Sequence, residues 1–304
     1  LDASQFNIQN AQGSSATELS DAQSDITNGA SVLVVDPLDS GVGAQIEQLA
    51  KSKGVAVVDY DRLTLGGTRQ YYVSFDNVKV GTLMGQGLVS CVSSWNVANP
   101  DVVVMKGDPT DNNATLFAQG YDAVLAAKFN GGGWTQGATP PGTWTPSTAE
   151  TEFQQALTQN PKINAALTPN DGNAAPIITY LQSQHVQPKT FPTTGQDASL
   201  VGLQNILAGY QCGTVYKPIY LEAQAAAALA IYLRTSGTNP PASLVNGSVQ
   251  DTKANVSVPS VLLTPEWVTS SNINSTVIAD GFVQASQLCT SQYAAACSAA
   301  GIQG

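Results

Sequence analysis

The stretch Ser31-Val-Leu-Val-Val-Asp36, followed by Pro37, is a continuous apolar run closed by a polar residue, the pattern of a β-strand buried on both faces. From residue 42 to residue 53 the period changes: Ile46, Leu49 and Ala50 share one helical face, and Gly54 supplies the stop. Residues 55–59 form the next buried strand. A strand, a helix and a strand in that order predict parallel pairing through a right-handed crossover.

Working outward, residues 71–75 read as a strand and 78–92 as a helix. The same grammar restarts at Asp101-Val-Val-Val-Met105 and a helix over 113–129. It continues with strands near 163–167, 190–194 and 214–216, between helices over 171–184, 199–208 and 219–233. Two such blocks predict an α/β protein with two doubly wound parallel-sheet domains. Residues 130–146, rich in Gly, Pro and Trp, read as a loop, and 237–259 as a polar, Pro-punctuated segment before the last apolar run, Val261-Leu-Leu263. That late return predicts a first lobe of residues 1–100 plus 219–262 and a second of 101–218. Residues 263–304 then make the final crossing and tail of a multi-strand hinge.

A chain of 304 residues has the length of two such domains, and 42% hydrophobic with 11% charged residues is a folded composition. Its formal net charge of −10, from 12 Lys+Arg against 22 acids, argues against nucleic acid or an anionic membrane as partner. No apolar run approaches the ~20 residues of a membrane span. Leu1 opens the chain without Met or an apolar leader, and a Ser, Thr, Asn and Gln-rich, Lys-poor composition suggests an exported protein with its signal peptide left out. In such a chain an even cysteine count favours bridging. Cys289 and Cys297 lie eight apart, a spacing that a turned helix end can close into a disulfide. Cys91 and Cys212 form a second bridge or stay as buried thiols. Neither spacing is a zinc motif, and no metal or cofactor is expected.

Six polar clusters follow the ends of predicted strands: Asp61-Arg62, Pro109-Thr-Asp-Asn-Asn113, Trp144-Thr-Pro146, Thr168-Pro-Asn-Asp171, Gly195-Gln-Asp197 and Tyr216-Lys-Pro218. In an α/β sheet those ends face the ligand crevice. Carboxylates, amides, a guanidinium, an ammonium and an indole together suit a ligand with many hydroxyl groups, and a sugar is the natural occupant.

Blander explanations account for other features. Asp59 and Asp61 read as a cap and a ligand contact, since no acid–base partner for catalysis stands beside them. His185, the only histidine, reads as a helix-end residue, so serine or cysteine triads are disfavoured. Gly41-Val-Gly43 and Gly131-Gly-Gly133 lack a phosphate-loop ending and read as turns. Asp111-Asn-Asn113 can cap a helix and touch a ligand at once, and Asn170 and Asp197 carry the same double reading.

With these residues assembled, the chain resembles the periplasmic sugar-binding proteins of bacterial ABC importers, nearest the xylose-binding branch. The matching motifs are Val58-Asp-Tyr-Asp-Arg62, Tyr72-Val-Ser-Phe-Asp-Asn77, Gly107-Asp-Pro-Thr-Asp-Asn-Asn-Ala114, Asn170-Asp-Gly-Asn-Ala174, Thr194-Gly-Gln-Asp-Ala198, Thr214-Val-Tyr-Lys-Pro218, Ser260-Val-Leu-Leu-Thr-Pro265 and Ala279-Asp-Gly-Phe282. They are collinear and cover nearly the whole chain. The resemblance implies that Asp61 and Arg62 bond sugar hydroxyls from the first domain. It implies that Asp111, Asn112, Asn113, Trp144, Asn170 and Asp197 bond or stack from the second, with Lys217 donating from the hinge.

The function it implies is a non-catalytic, extracytoplasmic receptor, soluble or lipid-anchored, that traps D-xylose or a related monosaccharide between two lobes for a membrane permease. A sugar-sensing partner of a chemotaxis or sensor-kinase system is the alternative. One departure stands out: Phe6-Asn-Ile8 matches the family's second strand, so the first strand and helix are expected to be missing, as in a truncated form with impaired binding. Residues 6–8 then either fill the opened slot in the first sheet or leave an edge that pairs with another chain as a homodimer.

Overall fold

Val32–Val35 (β1), Ala56–Tyr60 (β2) and Tyr71–Phe75 (β3) run parallel, with Val34 opposite Val58 and Val58 opposite Tyr71. A computed structural model of the chain describes residues 2, 5–236 and 243–303. The chain divides into two compact units, the first made of Leu1–Asp76, Thr110–Asn113 and Ile219–Leu263. Its sheet has five strands, completed by Val256–Leu263 (β9) parallel to β3 and by Gly247–Asp251 (β8) antiparallel to β9. Successive side chains of β2 point to opposite faces. On one face Leu33, Val35 and Val57 meet Ala22 of Ser15–Thr27 (α1) and Ile46 and Ala50 of Ser40–Ser52 (α2). On the other, Val58, Val73 and Val261 meet Ala226 and Leu229 of Ile219–Ser236 (α8). Each fully buried side chain of this size is worth about 1.5–3 kcal/mol.

Helix α1 has no counterpart in the sequence expectations, because only Leu19, Ala22 and Ile26 mark its inner face. Its start is set by Ser14, whose hydroxyl accepts the Thr17 N–H at 3.2 Å. The polar segment before Val261 holds β8 and half of β9, so it is a hairpin where the sequence reading has no element, while residues 237–242 of that segment lie outside the described residues. Residues 6–8 fill no slot: they form no strand, and Phe6 and Ile8 are exposed. Strand β1 pairs only with β2 among the described residues.

The second unit comprises Asn77–Pro109, Ala114–Pro218 and Thr264–Gly304. Asp101–Val104 (β4) is flanked in parallel by Thr135–Ala138 (β5) and Ala165–Leu167 (β6), and Thr214–Tyr216 (β7) pairs antiparallel with Glu266–Val268 (β10). β5 lies inside the stretch read as a loop. Residues 190–194, read as a strand, make only an isolated bridge from Thr193 to Ala166. There the hydroxyls of Thr168 and Thr194 bond across to each other's backbone in place of a regular ladder.

The expected lobe boundary at residue 100 differs from the observed division, which places Asn77–Ser94 (α3) in the second unit. The reason is packing. Gly81 of α3 lies directly against the Phe117 backbone of Asn112–Phe129 (α4), where a Cβ would clash. A disulfide also joins Cys91 of α3 to Cys212, ahead of β7. The tail belongs to the same unit: Val268, Ile273, Val277, Leu288 and Ile302 share a core with Leu203 and Ile206 of Leu200–Ala208 (α7). The expected Cys289–Cys297 disulfide is present, and of the two alternatives left open for Cys91 and Cys212 the bridge is the one found.

Candidate ligand-binding site

In the first unit the candidate residues converge on one turn. Asp61 follows β2 with φ +57°, and the Arg62 N–H donates back to Tyr60 O at 2.6 Å. That hydrogen bond and sign of φ belong to the rare γ-turn, a strained geometry of order 1–3 kcal/mol that persists only when its surroundings impose it. Here they do. The Asp61 carbonyl oxygen accepts from Ser74 Oγ at 2.8 Å and Asn113 Nδ2 at 2.9 Å, and the Tyr72 hydroxyl lies 2.8 Å away. Tyr72 is fully buried, which pushes its phenol up and keeps it a neutral donor.

Arg62 emerges from this turn beside Asp111. Its Nε is 3.3 Å from Asp111 Oδ2 and 3.8 Å from Asp36 Oδ1, and its Nη1 donates to Leu38 O at 3.4 Å. Asp111 is buried, and its Oδ1 accepts the Asn113 N–H at 2.8 Å, so it caps and pairs at once. Asn113 is buried behind it, and Asn112, the first residue of α4, is half-buried. Asp61, Arg62, Asp111 and Asn113 are thus brought together with Asn112 adjoining.

A buried ionic cluster carries the loop that follows. Arg69 pairs with Asp251, with Glu47 Oε2 at 3.7 Å and with Asp59 Oδ2 at 3.8 Å. Glu47 accepts the Arg69 N–H at 2.5 Å and that of Thr68, while Asp59 accepts the Thr64 N–H at 2.7 Å. Asp59 is therefore a loop cap, as the sequence suggests. Burial, then the neighbouring Glu47 charge, push its carboxyl well above the usual range. Burial works the same way on Asp251, but the Ala254 N–H, Arg69 and the Gly66 N–H outweigh it and hold that carboxyl below the usual range.

In the second unit Asp197 and Lys217 form an ion pair of 3.3 Å, with Lys217 buried and Asp197 half exposed. Asp197 and Ala198 both have positive φ, at +90° and +47°, and the loop is held by Asp197 N–H to Val215 O at 2.8 Å and Ala198 N–H to Thr214 Oγ1 at 3.1 Å. Asn170 caps Asp171–Ser183 (α6), its Oδ1 accepting the Asn173 N–H at 2.8 Å. Trp144 sits edge-on to Phe117, centroids 6.5 Å apart, and lies against Gly107, where a Cβ would run into its ring. Its loop is tied to α6 by Asn173 Nδ2, which donates to Thr143 O at 2.8 Å.

The organiser of this set is Asp171, which the sequence reading placed in a cluster without giving it a role. Its buried carboxylate accepts from Ser199 N at 2.8 Å, Ser199 Oγ at 3.0 Å, Gln211 Nε2 at 2.8 Å and Thr214 Oγ1 at 2.9 Å. Burial, then the Asp197 charge, push it up to about 7, against the pull of those donors. Asp36 is the second omission. It ends the strand run that decides the fold, and the strand-end rule applied to that run would have found it.

A family model described as the periplasmic binding protein domain matches residues 2–238. The chain belongs to that family. The D-xylose-binding periplasmic protein of Escherichia coli (strain K12) is 38% identical over 290 residues, covering 92% of this chain and 82% of that protein. The D-xylose-binding periplasmic protein of Haemophilus influenzae is 34% identical over 283 residues, covering 90% and 80%. Among solved structures, a carbohydrate transporter solute-binding protein from Chloroflexus aurantiacus in complex with D-glucose aligns with a TM-score of 0.80 at 27% identity, over 91% of this chain and 87% of that one. The α/β, parallel-sheet architecture of this periplasmic binding protein is the expected one, and it is a binding protein and not an enzyme. The expected homodimer finds no support in these relatives.

Proposed function

We propose that this periplasmic binding protein is an extracytoplasmic sugar receptor that binds a monosaccharide, D-xylose foremost, and presents it to an ABC importer. The observation that carries the reading is the convergence of Asp61, Arg62, Asp111 and Asn113 on one imposed turn, in a chain that matches D-xylose-binding relatives over nine-tenths of its length. In this reading the carboxyl oxygens of Asp61, Asp111 and Asp197 accept from ligand hydroxyls, Arg62 and Lys217 donate, and Asn112, Asn113 and Asn170 do both. Trp144 covers the apolar face of the ring. A ligand lacking one matched hydroxyl leaves a polar group unpaired at about 1–3 kcal/mol, which is the source of selectivity. Two disulfides fit an oxidising, extracytoplasmic compartment.

Isothermal titration with D-xylose, D-glucose, D-ribose and L-arabinose tests it. Saturable binding with D-xylose tightest is the expected result. Absence of heat with every sugar overturns the reading, and preference for another sugar overturns only the choice of D-xylose.

A further inference from the structure

The loop between β1 and α2 is no part of the sugar-contact set, yet it reaches Arg62. It supplies Asp36 Oδ1 at 3.8 Å from Nε and Leu38 O at 3.4 Å from Nη1, while Asp111 Oδ2 stands 3.3 Å from Nε. The loop is itself anchored. Leu38 N–H donates to Glu18 Oε2 at 3.2 Å, and Asp39 caps α2 through the Gly41 and Val42 N–H groups at 2.8 and 2.9 Å while accepting from Ser15 Oγ at 2.9 Å. Because a guanidinium is planar, oxygens on Nε and Nη1 also fix the direction of Nη2.

We propose that Asp36 is a positioning residue of this site, a second carboxylate that with buried Asp111 brackets Arg62 and sets where its N–H fork meets a ligand hydroxyl. The inference rests on the sugar-receptor reading and deepens it. The two carboxylates differ in kind. Asp111 is buried and bonded to Asn113, whereas the Asp36 side chain is half exposed, so solvent moderates what its neighbours do to its charge.

The groups facing Asp36 are Asp61 and Arg62 from the loop after β2, Asp111 from the segment entering α4, and Glu18 from α1. Partial desolvation and then the Asp61 charge push its carboxyl up toward the neutral range, against the pull of Arg62, with Asp111 and Glu18 adding to the rise. Ionised Asp36 draws on Nε and holds the fork aligned, and protonated Asp36 releases it. Preorganisation, and with it affinity, therefore rises with pH through the neutral range.

The test is isothermal titration of the full chain with D-xylose from pH 5.5 to 8.5, on the parent protein, Asp36→Asn and Asp36→Glu, with a thermal melt of each at every pH. The parent is expected to bind about three- to tenfold more tightly at the alkaline end, a slope set by linkage to one group. Asp36→Asn is expected to melt like the parent, to bind with the acid-limit affinity throughout, and to lose the slope, and Asp36→Glu to recover part of it. An Asp36→Asn protein that keeps both the parent affinity and the parent slope overturns the proposal, because the slope then belongs to another acid such as Asp171. If the parent binds no sugar at any pH, the receptor reading itself falls and the proposal with it, a result that the shape of the parent isotherm alone distinguishes.

Discussion

Two buried acids solve the same problem in opposite ways. Asp171, in the second unit, is ringed by neutral donors from Ser199, Gln211 and Thr214. Asp251, in the first, is matched by a guanidinium, and Arg69 must serve Glu47 and Asp59 as well. Neutral donors favour the ionised form of the acid they surround but bring no opposite charge to offset its burial. A lone cation among carboxylates does not tolerate its own removal. The difference shows in the shifts: the Ala254 N–H, the Arg69 cation and the Gly66 N–H hold Asp251 below the usual range, while Asp171, beside the Asp197 charge, rises to about 7 against its neutral donors.

The sharpest way to break the comparison is Arg69→Met. It strands three buried carboxylates, and losing one partner of a buried ion cluster costs about 3–5 kcal/mol. The expected outcome, read by urea unfolding at pH 7, is a protein at the edge of stability. Asp171→Ala should cost less, about 2–4 kcal/mol, since neutral donors left unpaired can recruit water. A loss equal to that of Arg69→Met removes the distinction between the two designs.

Asp171→Asn refines it. The folded-state pKa of Asp171 lies above its unfolded value near 3.9, so the folded protein binds the extra proton and the acid contributes stability at low pH that is lost as pH rises toward 7. The parent should unfold at a higher urea concentration at pH 5 than at pH 7.5, and Asp171→Asn should flatten that difference at a cost of about 1 kcal/mol at pH 5. A parent more stable at pH 7.5 contradicts the assignment. A comparably small effect on stability is expected from Gly107→Ala, where the new methyl pushes on the Trp144 ring. Overpacking there should cost about 1–2 kcal/mol and weaken sugar binding roughly tenfold, measured by titration and by the shift of tryptophan fluorescence.

Much of this was legible in the sequence, because buried parallel strands write themselves as apolar runs and their polar ends mark a crevice. That rule picks out Asp61, Arg62, Asp111, Asn113, Asp197 and Lys217, of which the fold gathers the first four around one turn and joins the last two as an ion pair. Asp36 escaped because Pro37 after it reads as a strand stop and hides the loop that follows. Asp171 escaped because a carboxylate beside a capping Asn looks like helix punctuation, and only folding brings Gln211 and Thr214 onto it. β5 escaped because Thr135-Gln-Gly-Ala138 carries no apolar run, being a half-exposed edge strand. The stretch over 190–194 was read as a full strand because threonines favour strands, but in the fold their hydroxyls take over much of the pairing.

The bond between Cys91 and Cys212 spans 121 residues of sequence. During synthesis or secretion the first of these thiols emerges long before its mate, so most of the second unit must pass before the correct pair can meet. Until then Cys91 lacks its native mate, and once the tail has followed, Cys289 and Cys297 compete for it. A cross-link of that reach removes several kcal/mol of denatured-chain entropy, about 5 on the usual loop-length relation. Yield of correctly assembled protein should therefore follow the oxidative machinery of the host more than the temperature of growth, and a mild reductant should sort native from mispaired material before it touches the properly closed form.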